Sequence, residues 1–599
     1  MIPPFSAPSW RSLVAPGYAL ALTLAVTAPL LAPGYLLLRD AVSTPRSYLT
    51  DAALGLTQAA PRALPQDFAV ALASAVIDGG IVVKGLTILG LWLAGWGAAR
   101  LASVVLPDAG VAGQCVAVTV AIWNPYVAER LLQGHWSLLV GYGCLPWIAA
   151  TVLTLRGAPR LHARRENAGA DRTECGFGGI GALLFWMALA GLTPTGLMLA
   201  ATTALACALA PGAGRPRWWC AGLSFGAAVT AAAPWLVASA VSGGSAGGWA
   251  GAVDQRPGIE AFAARAEPGL GTLGSLAGLG GIWNADAVPA SRTTLFAVVA
   301  TVALLAVVAL GLPVLLRRRA ARPLLILAVT SVVAPALMAT GPGLAVVEAV
   351  IDAAPGLGVL RDGQKWVALA VPGYALAGAA AVVTLRPRLP AALTAVLCSA
   401  AVVATLPDLT WGVGGRVASV QYPPGWPAAA AVINADPATV AVLPVDSMRR
   451  FAWAGDAPVL DPLPRWLRAD VLSTGDLTIA GKNVPGEGSR ARDVQQMLIA
   501  GAGADELAGA GVGWVVVENQ NGQAPPLALP VAFADDALTV YAVGGNTPGS
   551  PHRPALLAAH AVWLAALGAG LIGMLAGWLR SHRARRGQQE LDRPQRGHQ

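Results

Sequence analysis

Apolar stretches long enough to cross a hydrocarbon core recur along most of the 599 residues, and nothing else constrains the fold as strongly. A core of about 30 Å takes about 20 helical residues to span. Such stretches fall near 13–37, 80–104, 109–123, 135–155, 177–194, 196–211, 218–240, 293–316, 323–340, 364–385, 391–409 and 554–579. They predict a mainly α, polytopic membrane helical bundle of about twelve spans. Charged residues make up 12% of the chain and its mean hydropathy is +0.59, whereas a soluble domain carries about a quarter charged residues.

Orientation follows from the placement of arginines in short loops and at span ends. With the N-terminus inside, Arg11, Arg100, the loop from Arg156 to Arg172, Arg215, Arg217, Arg317 to Arg322, Arg386, Arg388 and six tail arginines share one side. That side holds 21 bases and six acids, about +15, and the rest of the chain about −7, which together give the net +8. Both termini are therefore expected in the cytoplasm, in a multi-pass plasma membrane protein. The basic balance marks topology and contact with membrane lipids, not nucleic acid. Arg11 precedes the first apolar stretch with no small-residue cleavage site after it, so that stretch reads as a retained span. The six cysteines lack paired metal-ligand spacing and imply neither a disulfide framework nor a zinc site.

Three regions are expected: a transmembrane bundle of about eleven spans over 1–409, an extracytoplasmic α/β domain over 410–553, and a last span with a basic tail over 554–599. Only 410–553 has soluble composition. An Ala-rich helix follows QYPPGWP, and the β-like run Thr439–Val445 comes next. Helices at Ala491–Ala500 and Asp505–Ala510, the run Gly513–Glu518 and a strand over Leu538–Val543 complete it. It shows no phosphate loop, His pair or Ser/His/Asp arrangement, and Asp456 and Asp461 read as turn residues.

Ionisable groups at the lipid boundary are costly unless paired or hydrated, so those at span ends are the candidates for chemistry. Arg39-Asp40 closes the first stretch. Asp40 is either an interfacial carboxylate paired with its neighbour or a general base at a cavity mouth. Between Ser43 and Asp67 the polar pattern suits one or two helices lying in the membrane surface, with Asp51 and Asp67 as polar members. Arg46 and Arg62 there are solvated residues or lipid-phosphate anchors. The turn Trp123-Asn124-Pro125-Tyr126-Val-Ala-Glu129-Arg130-Leu-Leu-Gln133-Gly134-His135-Trp136 is too rich in functional groups for a connector. Its Arg130 offers a planar fork for phosphate or carboxylate. Arg361-Asp362-Gly-Gln364-Lys365-Trp366 precedes a late span and suits an anion site or an interfacial anchor. Lys84 is either a snorkelling residue or one half of a buried pair with Asp78 or Asp40.

Together these motifs resemble the GT-C superfamily of integral-membrane glycosyltransferases, and within it the actinobacterial enzymes that build cell-envelope arabinan and mannan. The resemblance rests on their order along most of the chain. It implies a sugar donor carried on polyprenyl phosphate and an envelope glycan or glycolipid acceptor on the outer face. By position, Asp40 would be the catalytic base, and Arg130, His135, Arg361 and Lys365 would meet the donor phosphate, with Glu129 orienting them or the acceptor. No Asp-X-Asp accompanies these motifs, which leaves a divalent cation open. A non-catalytic envelope-assembly protein and a secondary transporter are the alternatives. A transporter would place its polar groups near the midplane in two related halves.

Overall fold

The structure is a computed structural model that describes residues 10–57, 63–157, 171–245, 256–353, 355–444, 447–479, 481–486, 488–519 and 527–591. Arg62 and most of the arginine-rich loop after Arg156 lie outside them. The fold is mainly helical with a small sheet region.

Among the described residues nine helices are long and apolar enough to cross a membrane: Ser12–Leu31, Gly79–Val105, Pro107–Leu132, Trp136–Leu155, Arg217–Val241, Phe296–Arg317, Arg319–Met338, Gly363–Leu385 and Arg553–Ser581. The other three expected spans differ in form. The helix Asp171–Ala190 ends where Gly191–Thr193 break the chain, and Pro194–Ala208 after the break is a shorter apolar helix that Thr193 caps, accepting from Gly196 N at 3.0 Å. The stretch 391–409 becomes Ala391–Ala404 followed by Pro407–Gly414, bent by 77°.

Pro107–Leu132, Trp136–Leu155 and Gly363–Leu385 are 78–83% buried, against 33% for Ser12–Leu31, Phe296–Arg317 and Arg553–Ser581. The first three therefore form the centre, and both sequence motifs richest in polar groups sit on them. Small residues allow this packing, as is usual where apolar burial gives no drive between helices in lipid. A Cβ at Gly90 would stand 2.9 Å from Val140 N, and one at Gly181 would stand 2.6 Å from Met574 N in the last helix.

The two ends of the bundle differ. At one, Arg156 donates to Ala210 O at 2.9 and 3.0 Å and Arg318 pairs with Asp108 at 2.6 Å. At the other sit the block 410–553 and both candidate motifs.

In that block, β4 (Val440–Leu443) runs parallel to β9 (Trp514–Glu518), while β11 (Leu538–Ala542) pairs antiparallel with β9 and with β10 (Val531–Ala534), giving the order β10-β11-β9-β4. Side chains alternate across a strand. Val440, Val442 and Val516 thus join Trp426 and Ile433 on one face, and Leu443, Val515 and Val517 join Val494 and Leu498 on the other. Both faces are covered, which explains continuous Val runs in place of alternation. The helices Gly425–Ala435, Ser489–Ile499 and Ala504–Gly509 lie close to the expected ranges.

One boundary needs correction. The first span does not run to residue 37: its helix ends at Leu31, Ala32 is extended ahead of Pro33, and Tyr35–Leu38 form strand β1. This strand pairs with β2 (Ala41–Val42) on one side and β3 (Ser419–Val420) on the other. Arg39-Asp40 therefore closes a hairpin, not a transmembrane helix. The region after it contains two short helices, Asp51–Leu54 and Gln66–Ala73.

Candidate functional site

Leu38 faces Ala41 and Leu37 faces Val42, so Arg39 and Asp40 are the two loop residues of the hairpin. The first loop residue of such a turn takes positive φ, and Gly is usual there. Here it is Arg39, with φ 49°. The strained backbone is pinned on every side. Arg39 N donates to Pro458 O and Leu460 N to Arg39 O, both at 2.9 Å, while its guanidinium donates to Leu132 O at 2.6 Å and Asp286 O at 2.9 Å. Arg39 is buried. It shapes the turn and does not face a ligand.

The hairpin tip meets the break between two central helices. Asn124 caps Pro125–Leu132, accepting from Val127 N at 3.0 Å with Pro at the first helical position. At the end of this helix Gly134 takes φ 81°, and any Cβ there would collide with Leu38 O and Ala41 N. Glycine is thus required for the hairpin to reach Gln133 and His135. Asp40 N donates to Gln133 O at 3.2 Å, and Asp40 Oδ2 accepts from Gln133 Nε2 and His135 Nε2, each at 3.0 Å. Asn284 Nδ2 donates to Gln133 Oε1 at 2.8 Å and so fixes that amide's orientation.

Behind His135 lies a buried relay. Arg130 Nη1 is 3.0 Å from His135 Nδ1, and a guanidinium can only donate. Nδ1 is therefore the acceptor, and the proton of the neutral ring sits on Nε2, pointing at Asp40. Arg130 also grips Asp362 with both forks, at 2.9 and 3.1 Å, and donates to Gln364 Oε1. Gln364 Nε2 bonds Glu129 Oε2 at 2.9 Å, and the Glu129 carboxylate accepts from Gly281 N and Ile282 N, both at 3.1 Å. Lys365 Nζ stands 3.5 Å from Asp362 Oδ2. Asp40, Glu129, Arg130, His135, Asp362 and Lys365 form one connected network, joined by Gln133, Gln364 and Asn284.

Exposure divides the network by role. Arg130 is fully buried, whereas Asp40 is 42% exposed, Lys365 23% and His135 16%. The last three make the solvent-reaching face of the network, the candidate recess, and Arg130 and Glu129 brace it from behind. Among the described residues Asp40 Oδ1 accepts no hydrogen bond, so it is the oxygen offered to a ligand. Crowding by protein pushes the Asp40 carboxyl up, but the hydrogen bond and charge of His135, with Gln133 and the Lys365 charge, outweigh it and hold it below its ordinary value. Burial lowers His135 despite Asp40, which keeps the ring neutral. Burial also acts against ionisation of Asp362, yet Arg130 and Lys365 overcome it and hold that carboxyl well below the usual range.

The remaining sequence candidates stand apart. Arg361 donates from Nε to Gly358 O at 3.1 Å, and its guanidinium lies over the Phe262 ring at 5.7 Å. Arg46 bonds Ala71 O and Ser74 Oγ at 2.6 and 2.9 Å, and so braces the helix Gln66–Ala73. Asp51 pairs with Arg553, and Asp67 with Arg465 at 3.3 Å. Lys84 pairs with neither Asp78 nor Asp40 among the described residues; it donates to Ala32 O at 2.8 Å and Ser419 Oγ at 3.2 Å. Gln133 and Gln364 lie inside the motifs that the sequence marks as functional, without a separate role there, whereas Asn284, distant in sequence, gives no such signal.

Among the described residues no group of three His, Cys, Asp or Glu could hold a divalent cation, and both Asp362 oxygens accept from Arg130. The solvent-reaching face of the network offers a carboxylate that can take a proton and a lysine that can meet an anion. In comparisons with known proteins, no family model matches the chain, and no curated protein or solved structure matches it.

Proposed function

We propose that this chain is a membrane glycosyltransferase of the GT-C kind, moving a sugar from a polyprenyl-phosphate donor to a cell-envelope glycan or glycolipid acceptor. The observation that carries the reading is the solvent-reaching Asp40, whose Oδ1 accepts no hydrogen bond among the described residues, in one network with Lys365. In this reading the bundle passes the plasma membrane about twelve times with both termini cytoplasmic, counting the two short helices and the bent pair. The recess and the block 410–553 then face outward, opposite the arginine-rich end.

An acceptor hydroxyl attacks the anomeric carbon and gives its proton to Asp40 Oδ1. The bond from that carbon to the phosphate oxygen breaks, and polyprenyl phosphate leaves with the electron pair. Lys365 stabilises its developing charge as a fixed cation, while the single N–H of His135 stays on Asp40 Oδ2. Attack from the face opposite the leaving group inverts the anomeric centre, as in inverting glycosidases. Arg130 does not touch the phosphate directly; it sets the His135 tautomer and holds Asp362 beside Lys365.

Transfer by the purified full chain in lipid nanodiscs, with radiolabelled polyprenyl-phosphate sugars and a glycan acceptor, tests this reading. Sugar transfer with release of polyprenyl phosphate is expected; donor left intact with every sugar and acceptor offered would overturn it.

The pH profile gives a second test. Asp40 must be ionised to take a proton, and its carboxyl is held below the ordinary value of about 3.9. Activity should therefore persist into mildly acid solution. His135→Phe removes the partner that lowers Asp40 and leaves the crowding that raises it, so the acid limb of kcat should move to higher pH. An unmoved limb would break the link between His135 and the base.

A further inference from the structure

The block 410–553 meets the Arg39-Asp40 turn through strand β6. Strand β6 (Val459–Leu460) forms a parallel bridge between Val459 and Arg39, one residue from Asp40. Arg39 N donates to Pro458 O and Leu460 N to Arg39 O, both at 2.9 Å. Val459 is fully buried against Leu37 and Val42, the residues that flank the hairpin tip. On its other edge β6 pairs with β5 (Met448–Arg449), and Asp461 N donates to Ser447 O at 3.2 Å. The strand is thus held by the block along one edge and grips the turn with the other.

That grip acts on a strained residue. A non-glycine residue at φ 49° keeps its conformation only where its surroundings over-determine it. The bundle fixes the Arg39 side chain and the Asp40 amide; the block fixes the Arg39 peptide groups. Without the block's two bonds Arg39 is free to relax to negative φ, and that rotation swings the next residue, Asp40, away from Gln133 and His135.

We propose that strand β6 is a positioning element for Asp40, so that the block 410–553 holds the base in place as well as facing the acceptor. This rests on Asp40 being the base. The turn and β6 form one hydrogen-bonded frame, and the geometry of proton transfer depends on how the block sits.

Leu460→Pro isolates the effect. Proline removes the N–H that donates to Arg39 O, and because the donors alternate along β6 it spares the Asp461 bond to Ser447. Leu460→Ala trims the side chain and keeps the donor. With a small soluble acceptor, Leu460→Pro in the full chain should lower kcat by about tenfold to a hundredfold, the scale of an ångström-sized misplacement. The donor KM should stay near wild type, and the acid limb should rise as Asp40 loses its His135 and Gln133 partners. Leu460→Ala should behave as wild type. Should Leu460→Pro fail to fold, Val459→Ala loosens the same bridge by thinning its buried anchor, and the same fall in kcat is expected. Normal kcat in Leu460→Pro, or a loss confined to polymeric acceptors, would overturn the positioning role. Full activity in Asp40→Asn is a separate failure, that of the base itself.

Discussion

Asp40→Asn should lower the transfer rate by about 10²- to 10⁴-fold, the range general-base catalysis supplies. The donor KM should change little, because the phosphate is met by Lys365 and not by Asp40. Asparagine is the informative replacement. Gln133 Nε2 and His135 Nε2 both donate to Asp40 Oδ2 at 3.0 Å, so an asparagine places its amide oxygen there and turns its NH₂ into the recess. The hairpin and its partners stay in place while the proton acceptor disappears. Steady-state kinetics in nanodiscs at saturating donor read the effect directly. A variant within a few-fold of wild-type kcat would remove Asp40 from the reaction, and with it the inverting mechanism drawn around it.

Most of the site was legible in the sequence because burying charge in a bundle is expensive, so the few ionisable groups near span ends had to be paired or functional. Asp40, Glu129, Arg130, His135, Asp362 and Lys365 came from three separate motifs and meet in one network. Three things were not legible. The apolar run YLLL before Arg39 satisfies a hydropathy window equally well as helix or strand, and the Ala-Pro-Gly ahead of it decides for strand only once β3 is there to pair with it. Arg361 differs from Lys365 only in depth: it falls on the turn Pro355–Arg361, against Phe262, while Lys365 reaches the recess. The exchange of roles between Arg130 and Lys365 is tertiary in origin, because only the bidentate Asp362 contact shows that both Arg130 Nη groups are committed. In the block 410–553 β4, β9, β11 and three helices were readable from Val runs and helical spacing, but β5, β6 and β10 were not, and the order β10-β11-β9-β4 and the reach of β6 to Arg39 depend on pairings distant in sequence.

Asp362→Ala should be the most destabilising single change in the recess, and it separates bracing from chemistry. Arg130 is fully buried, and Asp362 supplies both of its fork contacts at 2.9 and 3.1 Å. Removing one partner of a buried pair leaves an uncompensated charge, which costs about 3–5 kcal/mol. Gln364 and His135 remain near the guanidinium, but both are neutral and cannot replace a carboxylate. A marked fall in the unfolding temperature in detergent is therefore expected, together with loss of transfer. The double variant Arg130→Met, Asp362→Leu replaces the pair by apolar side chains, an exchange that is often neutral or stabilising. It should regain most of the lost stability and still lack activity, because Lys365 has lost its anchor and His135 Nδ1 the donor that fixed its tautomer. Stability recovering without transfer would assign the pair to holding the recess in register. Wild-type unfolding of Asp362→Ala would instead show that Arg130 is balanced by groups other than Asp362, and the division between a buried brace and a solvent-open Asp40, His135 and Lys365 would fall.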